Sequence, residues 1–276
     1  MLKSLIVEGG ALRGVFSTGL LDGFLERRFN PFDFYIGVSS GASNIAAYLA
    51  EMPGRNAKIY LDYSLRPEFI NYPRFLRGGH LLDLDWLWDI TIREIRLDLQ
   101  AIYSRQKNFI AVLTDVQTGL VCYKTTGPHD LEQTLKASSA MPLVFRGYPE
   151  VDDRAYADGG LSDPLPVNAA IAMGAAKIMV VRSRPRTYLK RRSIFDEILK
   201  YHLRGYPLLR KAVDLRIGRY NDSVGLISKP PPGVEIIEVC PPDGFRASRL
   251  SRDRAVLEEG YVLGRSAALR AVENWG

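Results

Sequence analysis

Residues 35–41 read Tyr-Ile-Gly-Val-Ser-Ser-Gly, and they join a short apolar run to a stretch that suits a helix. The run at 33–36 predicts a strand, and residues 40–50 predict the helix after it. Gly-x-Ser-x-Gly is typical of a serine nucleophile on a sharp strand-to-helix turn, where the glycines tolerate the tight backbone. The register selects Ser39, and Ser40 would begin the helix. Taken alone, the spacing also fits an ordinary joint of small residues.

On both sides of this turn, short apolar runs alternate with amphipathic stretches. Successive strand–turn–helix units predict a mostly parallel sheet covered by helices, with the turns at the carboxyl edge of the sheet. Residues 53–106 have a less regular pattern. The predicted strands lie at 4–7, 33–36, 109–113, 120–124, 154–157, 177–182 and 234–239, with a hairpin between the third and fourth; the predicted helices lie at 15–27, 40–50, 129–139, 166–173, 194–203 and 252–272.

A glycine-rich turn follows the first predicted strand, where residues 8–14 read Glu-Gly-Gly-Ala-Leu-Arg-Gly. Ala11 interrupts the Gly-x-Gly-x-x-Gly spacing of dinucleotide-binding loops, which disfavours that function. Free backbone N–H groups at such a turn can hold a phosphate or stabilise a tetrahedral oxyanion. A plain tight turn is the alternative interpretation.

A third motif comes much later, where residues 156–160 read Tyr-Ala-Asp-Gly-Gly. A strand that ends here can bring the carboxylate of Asp158 to the same edge as the two earlier turns. The alternative is an aspartate that only caps a turn. Asp158 therefore matters for chemistry only if it meets Ser39.

Together, and in this order, the three motifs resemble the patatin-like phospholipase family of lipid acyl hydrolases, in its bacterial type. Residues 137–142, Ala-Ser-Ser-Ala-Met-Pro, match the small-residue helix end and proline that the family places before its Asp-Gly-Gly. The resemblance covers about residues 1–185. It implies a three-layer α/β/α fold with a mostly parallel central sheet, in one domain over residues 1–276. Glu8 and Ala11 depart from it, since the family has Asp and a third Gly there.

The resemblance also implies a Ser–Asp dyad that hydrolyses fatty-acyl esters through an acyl-enzyme, with no cofactor and no metal. Ser39 would be the nucleophile and Asp158 its base, which needs a desolvated site to raise its pKa. Ala11 would keep its oxyanion role unless the position needs a positive φ. The implied oxyanion hole comprises Gly9, Gly10 and Ala11; the implied substrate or loop support comprises Arg13, Gly37, Gly41, Gly159 and Gly160.

A Ser–His–Asp triad is the competing mechanism, and it needs a histidine that reaches Ser39. His202 follows Asp158 in the chain order of α/β-hydrolases. His80 and His129 are the other two candidates. We expect all three to be surface or partly packed residues. A non-lipid esterase, thioesterase or acyltransferase with the same dyad, or a catalytically silent lipid-binding protein, are the alternative functions.

Positive charge is concentrated in residues 182–219, which hold twelve Lys or Arg and three acids, while the rest of the chain sums to −3. Residues 186–233 are predicted to form a basic helical excursion, a candidate lid or membrane-facing segment. The apolar helical face at 194–203 with its flanking cations suits an anionic bilayer surface. A solvated face packed on the domain is the alternative. No nucleic-acid-binding motif accompanies the charge, so we expect no nucleic-acid partner.

The N-terminal apolar run is too short for a signal peptide, and the longest uncharged stretch, 34–50, is too short for a membrane span. Cys122 and Cys240 form no metal-binding spacing and favour a reducing compartment, although one disulfide remains open. We therefore expect a cytoplasmic protein, with any contact at the inner face of the membrane being peripheral. No feature of the sequence specifies an oligomeric state.

Overall fold

The computed structural model describes residues 1–104 and 106–276, which contain one eight-stranded sheet. The strands are β1 (Leu2–Val7), β2 (Phe34–Val38), β3 (Asn108–Asp115), β4 (Val121–Thr125), β5 (Glu150–Val151), β6 (Arg154–Asp158), β7 (Ala175–Val181) and β8 (Glu235–Val239). The α-helices are α1 (Val15–Glu26), α2 (Ser40–Leu49), α3 (Arg55–Leu61), α4 (Tyr72–Leu76), α5 (Leu84–Ile95), α6 (Leu99–Ser104), α7 (Leu131–Ser139), α8 (Val167–Ala172), α9 (Ile194–His202), α10 (Pro207–Ser228) and α11 (Arg254–Trp275).

The strand order is β5-β6-β3-β2-β1-β7-β8, and β4 also pairs with β3. The five strands β3, β2, β1, β7 and β8 run parallel to their neighbours in this order. Antiparallel pairing joins β3 to β4, β3 to β6, and β5 to β6. The prediction of a mostly parallel sheet is therefore confirmed, and the predicted hairpin is the β3–β4 pair.

Both faces of the sheet are buried, as expected where helices cover a parallel sheet on each side. Successive residues of β1 point to opposite faces, so Leu5 and Val7 join one apolar cluster and Ile6 joins another. The first cluster contains residues of α1, α2 and α11, and the second contains residues of α8 and α10. These layers confirm the three-layer α/β/α fold class.

The C-terminal helix α11 packs closely along α1. A Cβ atom on Gly264 would lie 2.0 Å from the carbonyl oxygen of Phe16, so no larger residue fits this crossing. Tyr261 of α11 donates a hydrogen bond to Asp22 of α1, at 2.8 Å. The helix was predicted to end near residue 272, but it continues to Trp275. That ring is 7% exposed and contacts Phe29 and Phe32 edge-on.

Residues 53–106 contain four helices, α3 to α6, where the sequence showed little regularity. Each has five to twelve residues, so an amphipathic pattern has few turns in which to repeat. Tyr60, Leu84 and Leu87 from this region join a third apolar cluster that reaches Leu12 and Val15. The region thus builds one wall of the site.

Residues 186–233 contain helices α9 and α10, and their role as a lid or membrane-facing segment stays a prediction. Helix α10 is not separate from the core, because Tyr220 and Val224 pack under the sheet. The residues of the predicted apolar face at 194–203 differ in their burial. Leu199 is buried, whereas Ile194 is 80% exposed.

None of the helices in the described residues is long and apolar enough to cross a membrane. Cys122 lies on β4 and Cys240 follows β8. Both thiols are free.

Candidate active site

Ser39 lies on the turn between β2 and α2, where the sequence predicted it. Its backbone has φ +54° and ψ −128°, a conformation that costs an L-residue about 1–3 kcal/mol. The Ser39 N–H donates to Ser138 Oγ at 2.9 Å, and Ser138 Oγ donates to the carbonyl oxygen of Val112 at 2.8 Å. This relay from the end of α7 to β3 holds the strained turn in place.

Gly37 and Gly41, the two glycines of the motif, flank this turn as predicted. A Cβ atom on Gly41 would lie 2.3 Å from the carbonyl oxygen of Val7. The glycine therefore lets the start of α2 approach the end of β1. This contact brings the turn with Ser39 next to the loop that follows β1.

Asp158 ends β6, and its Oδ2 accepts a hydrogen bond from Ser39 Oγ at 2.8 Å. Its Oδ1 accepts the N–H of Gly160 at 2.7 Å. Gly159 allows the turn, because a Cβ there would lie 2.0 Å from the carbonyl oxygen of Val112. Two motifs that lie 119 residues apart in the chain are thus joined directly.

The strand that carries Asp158 runs opposite to the one that leads to Ser39. In the register, Val38 pairs with Val112, and Leu113 pairs with Asp158. Strand β6 begins near the carboxyl end of β3 and runs antiparallel to it. It ends at Asp158, beside the turn that follows β2. Asp158 therefore lies at the predicted edge, although its strand is antiparallel.

Burial raises the pKa of Asp158 above its ordinary value. The hydrogen bonds from Ser39 and Gly160, and the positive charges of Arg216 and Arg249, oppose this rise but do not cancel it. A carboxylate with a raised pKa is a stronger base than an exposed aspartate. The desolvation that the sequence could only assume is present.

Ser40, the other serine of the turn, has a different partner. Its Oγ accepts the N–H of Gly10 at 3.0 Å, and the residue begins α2. The structure therefore brings Ser39, and not Ser40, to the aspartate.

The Gly9–Gly10–Ala11 loop lies against Ser39, since a Cβ on Gly9 would be 2.8 Å from the Cβ of Ser39. Ala11 has φ +48°, the left-handed region that glycine adopts most readily. The position thus does take a positive φ, and the alanine adopts it under strain. The loop is anchored by Glu8, whose Oε2 accepts the N–H of Ser183 at 2.7 Å.

Arg13 is buried behind this loop and is 4% exposed. Its Nη2 donates a hydrogen bond to Ser183 Oγ at 3.4 Å. Burial, together with the nearby charges of Arg249 and Arg184, lowers the pKa of Arg13 to about 9. Arg13 lines a cavity that also contains Ser39 and Asp158, and we name it the polar cavity for the charged side chains in its lining.

The three histidines lie elsewhere. His80 Nδ1 accepts the N–H of Arg146 at 2.8 Å, and its ring stacks on Phe145. His129 is exposed to solvent. Partial burial of the imidazole lowers the pKa of His202. In the described part of the chain, no histidine bonds to Ser39 or Asp158, or lines either cavity beside them.

Two cavities meet at Ser39. One is apolar and extends between α3, α5 and α7. The other is the polar cavity, which has a volume of about 240 Å³ and contains Asp158 and the Gly9–Ala11 loop. Five basic side chains line the polar cavity: Arg13, Arg184, Lys190, Arg216 and Arg249.

Sequence reasoning missed two features of this site. Ser138 lies in the Ala-Ser-Ser-Ala-Met-Pro segment, where a serine near a helix end is a plausible hydrogen-bond partner for a nearby turn. Arg184, Lys190 and Arg216 belong to the basic segment at 182–219, whose charge suits an anionic surface. Their excess was visible in the sequence, but the fold was needed to show that they converge on a cavity.

The chain belongs to the patatin-like phospholipase family, whose model matches residues 5–171. This membership confirms the family resemblance and supports lipid acyl hydrolase activity in general. A second family model, a domain of unknown function (DUF6363), matches residues 206–276. That segment is built into the same sheet, because β8 pairs with β7 over residues 235–239.

Individual relatives extend the comparison. The chain is 32% identical over 268 residues to "Uncharacterized protein YjjU" of Escherichia coli K12, across 95% of this chain and 74% of that protein. It is 25% identical over 197 residues to "Probable lipid hydrolase 463L" of Invertebrate iridescent virus 6, across 61% of this chain and 63% of the viral protein. The chain therefore matches less than two thirds of the viral relative's length.

Among solved structures, the crystal structure of VipD from Legionella pneumophila superposes with a TM-score of 0.56 at 12% identity. The match covers 99% of this chain and 67% of VipD. At this identity the similarity shows the fold alone.

Proposed function

We propose that the protein is a serine hydrolase of fatty-acyl esters, with Ser39 as nucleophile and Asp158 as base. The observation that carries the proposal is the buried 2.8 Å hydrogen bond from Ser39 Oγ to Asp158 Oδ2. Nucleophile and base must lie within about 2.6–3.2 Å for proton transfer. The loop at residues 9–11 lies beside them, where an oxyanion would form.

In the first half-reaction, Ser39 Oγ attacks the ester carbonyl carbon while Asp158 takes its proton. The tetrahedral intermediate collapses, the ester bond to the alcohol breaks, and Asp158 returns the proton to the leaving oxygen. Water then attacks the acyl carbon while Asp158 takes a proton from it. The bond between Ser39 Oγ and the acyl carbon breaks, Asp158 returns the proton to Ser39 Oγ, and the fatty acid leaves. Because the base must be deprotonated, kcat/KM falls as pH drops through the raised pKa of Asp158.

The oxyanion is stabilised by backbone N–H groups of the Gly-rich loop. The Gly10 N–H donates to Ser40 Oγ at 3.0 Å, so an oxyanion that binds this N–H must displace that hydroxyl. Oxyanion donors of this kind are each worth about 3 kcal/mol of transition-state stabilisation.

The apolar cavity fits an acyl chain. It starts at Ser39 and is walled mainly by aliphatic and aromatic side chains: Leu12, Ile59, Phe69, Leu82, Leu84, Leu87, Trp88, Ile92, Leu97 and Leu135. Burial of methylene groups gives about 0.8 kcal/mol each, so longer acyl chains bind more tightly until the cavity is filled. This favours a fatty-acyl ester over a short-chain esterase substrate.

We further propose that the protein reaches lipid substrate by peripheral contact with an anionic membrane. Helix α9 exposes Ile194, Ile198 and Tyr201 to solvent, while Phe195 on the same helix lines the polar cavity. The exposed cations Arg191 and Lys211 lie nearby in the chain. Apolar groups with flanking cations suit an anionic lipid surface beside the entrance to the site.

The decisive experiment compares wild type with Ser39→Ala and Asp158→Asn, using a fluorophosphonate probe and a panel of fatty-acyl esters. We expect labelling to disappear in Ser39→Ala and kcat to fall at least about 10³-fold in both variants. Asp158→Asn keeps the hydrogen-bonding shape but cannot accept the proton.

His202→Ala serves as the matched control, and it should retain turnover close to wild type. A loss of turnover in folded His202→Ala would favour the triad instead. A folded wild-type protein that neither reacts with the probe nor hydrolyses any ester would leave lipid binding as its function.

A further inference from the structure

The polar cavity beside Ser39 carries an excess of positive charge. Its lining has five basic side chains against two acids, Glu8 and Asp158. Both acids already accept hydrogen bonds: Glu8 from the N–H of Ser183, and Asp158 from Ser39 and Gly160. Neither carboxylate forms an ion pair with the cavity cations in the described residues.

Two of the five cations are buried with incomplete hydrogen bonding. Arg13 is 4% exposed and Arg216 is 5% exposed. The Nε atom of each, and Nη1 of Arg216, lack any hydrogen-bond partner in the described chain. The nearest carboxylate to Arg216 is Asp196, at 4.0 Å, and this aspartate already closes the N-terminal turn of α9 with Ser193. Unsatisfied buried donors of this kind are costly, and an anion that accepts hydrogen bonds from them would remove that cost.

The cations also destabilise one another. Burial, and then the charges of Arg216 and Arg249, lower the pKa of Lys190 to about 7. Burial and the charge of Arg249 lower the pKa of Arg216 to about 10. An anion bound among these groups would relieve the mutual repulsion, so the charges that line the cavity favour an anionic ligand.

The aromatic rings of the cavity do not offer a site for a quaternary ammonium group. The guanidinium of Arg184 lies 4.5 Å from the ring centre of Tyr188, and that of Arg249 lies 5.8 Å from the ring centre of Phe195. A guanidinium of the protein thus already lies near each of these two rings, which disfavours the binding of a choline group there. A zwitterionic head group would bring a positive charge into this environment.

We propose that the polar cavity binds a phosphate monoester, so that the preferred substrate is an acyl ester whose head group ends in a doubly charged phosphate. This inference rests on the proposed function for the ester-cleaving step, with the acyl chain in the apolar cavity and the phosphate in the polar one. Arg13 and Arg216 supply the buried donors, and Arg184, Lys190 and Arg249 surround the phosphate. A phosphate monoester carries about −1.5 to −2 at neutral pH, more than the single charge of a phosphodiester. Near pH 7, a bound dianion also keeps Lys190 protonated.

The first test measures binding in the Ser39→Ala protein, so that turnover plays no part. Inorganic phosphate and glycerol 3-phosphate are titrated by calorimetry into Ser39→Ala alone and combined with Lys190→Gln or Arg249→Gln. We expect saturable binding of both probes that weakens at least about tenfold in either double variant. Lys229→Gln and Arg252→Gln, which alter exposed cations outside the cavity, serve as matched controls and should bind as Ser39→Ala does. Absence of binding, or equal binding by cavity variants and controls, would overturn the proposal.

The second test measures hydrolysis of three monomeric short-chain substrates with the same acyl group: monoacylglycerol, its 3-phosphate and its phosphocholine ester. Monomeric substrates remove any effect of the membrane surface. We expect kcat/KM to be at least about tenfold higher for the phosphate monoester than for monoacylglycerol, and this ratio to fall to about one in Lys190→Gln. Equal rates, or a preference for phosphocholine, would overturn the proposal.

The two proposals fail separately. Phosphate binding without hydrolysis of any ester would contradict the dyad mechanism and support the phosphate site. Hydrolysis with no phosphate binding and no head-group preference would contradict the phosphate site and leave the dyad mechanism in place. Tighter binding of glycerol 3-phosphate than of inorganic phosphate would identify a lipid head group, rather than free phosphate, as the ligand.

Discussion

Ala11 and Ser39, on adjacent loops, both hold positive φ values, at +48° and +54°. Each conformation is unfavourable for an L-residue and persists because the surrounding structure fixes it. At Ser39 the strain exposes the hydroxyl to Asp158. At Ala11 the strain arises because an alanine occupies a left-handed position that glycine would adopt without strain.

Replacement of this alanine, Ala11→Gly, should therefore stabilise the protein. Relief of left-handed strain contributes about 1–2 kcal/mol, and the greater freedom of glycine in the unfolded chain removes about 0.4–1 kcal/mol. We expect the free energy of unfolding to rise by about 0.5–1 kcal/mol, as measured in urea. Ala267→Gly, in the middle of α11, is the control and should lower it by about 1 kcal/mol. Destabilisation by Ala11→Gly would show that the alanine methyl group makes a packing contribution larger than the strain.

Asp158 contributes to chemistry at a cost in stability. Burial raises its pKa in the folded state, so the folded protein holds the proton more tightly than the unfolded chain does. Between the ordinary pKa near 3.9 and the raised folded value, unfolding releases this proton, and stability falls as pH rises. Above the folded pKa the full cost of the buried carboxylate is present.

Asp158→Asn should remove this cost. We expect the variant to gain stability relative to wild type as pH rises from about 4 to 8, because the amide is never charged. Urea unfolding of both proteins at pH 4, 6 and 8 measures the difference. A difference that is constant across this pH range would contradict the assigned cause of the pKa shift.

At the scale of elements, the site depends on how closely α2 approaches β1. The second glycine of the motif, Gly41, sits where a Cβ would be 2.3 Å from the carbonyl oxygen of Val7. This contact sets the distance between the turn after β2 and the loop after β1. Backbone packing therefore sets the spacing of the two functional loops, and the side chains of Glu8 and Ser138 add hydrogen bonds that hold them.

The substitution Gly41→Ala tests that contact. Because the methyl group meets main chain that cannot move aside, we expect a loss of at least about 2 kcal/mol of unfolding free energy. Gly218→Ala on α10 is the matched control, since a Cβ there has nothing within 4 Å. Removing that helical glycine should instead stabilise the protein by about 0.5–1 kcal/mol. Equal effects of the two substitutions would argue against backbone contact as the constraint.

At the scale of the whole molecule, the two cavities meet at Ser39, and helix α9 reaches one of them. Phe195 of α9 lines the polar cavity, and Ile194 and Ile198 of the same helix face solvent. A membrane-bound substrate would thus meet apolar and basic groups before it reaches Ser39.

The double variant Ile194→Ser with Ile198→Ser should bind anionic vesicles at least about tenfold more weakly, because even partial insertion of two isoleucines contributes about 1.5–3 kcal/mol. Sedimentation with vesicles of anionic and of neutral lipid measures the effect at low and high salt. Val262→Ser with Leu269→Ser, on similarly exposed positions of α11, is the control and should bind as wild type does. Equal binding by both double variants would contradict a docking role for α9.

Much of the fold was predictable because its signals are local. Apolar runs such as residues 4–7 predicted strands, and the Gly-x-Ser-x-Gly register selected Ser39 over Ser40. The short helices within residues 53–106 were missed, since few turns leave little periodicity. The direction of β6 was also open, because an apolar strand pattern is the same in parallel and antiparallel pairing.

The sequence by itself determined a mostly parallel sheet covered by helices, because hydrophobic periodicity is a property of the chain. The meeting of Ser39 and Asp158 was implied by the resemblance of the three motifs to the family. Only the tertiary structure decided that Ser39 and Asp158 are in contact, that Asp158 is desolvated, and that Ala11 has a positive φ. It alone decided that Arg13, Lys190 and Arg216 converge on one cavity. Distances, burial and charge repulsion depend on residues far apart in the chain, and these are set only when the helices pack on the sheet.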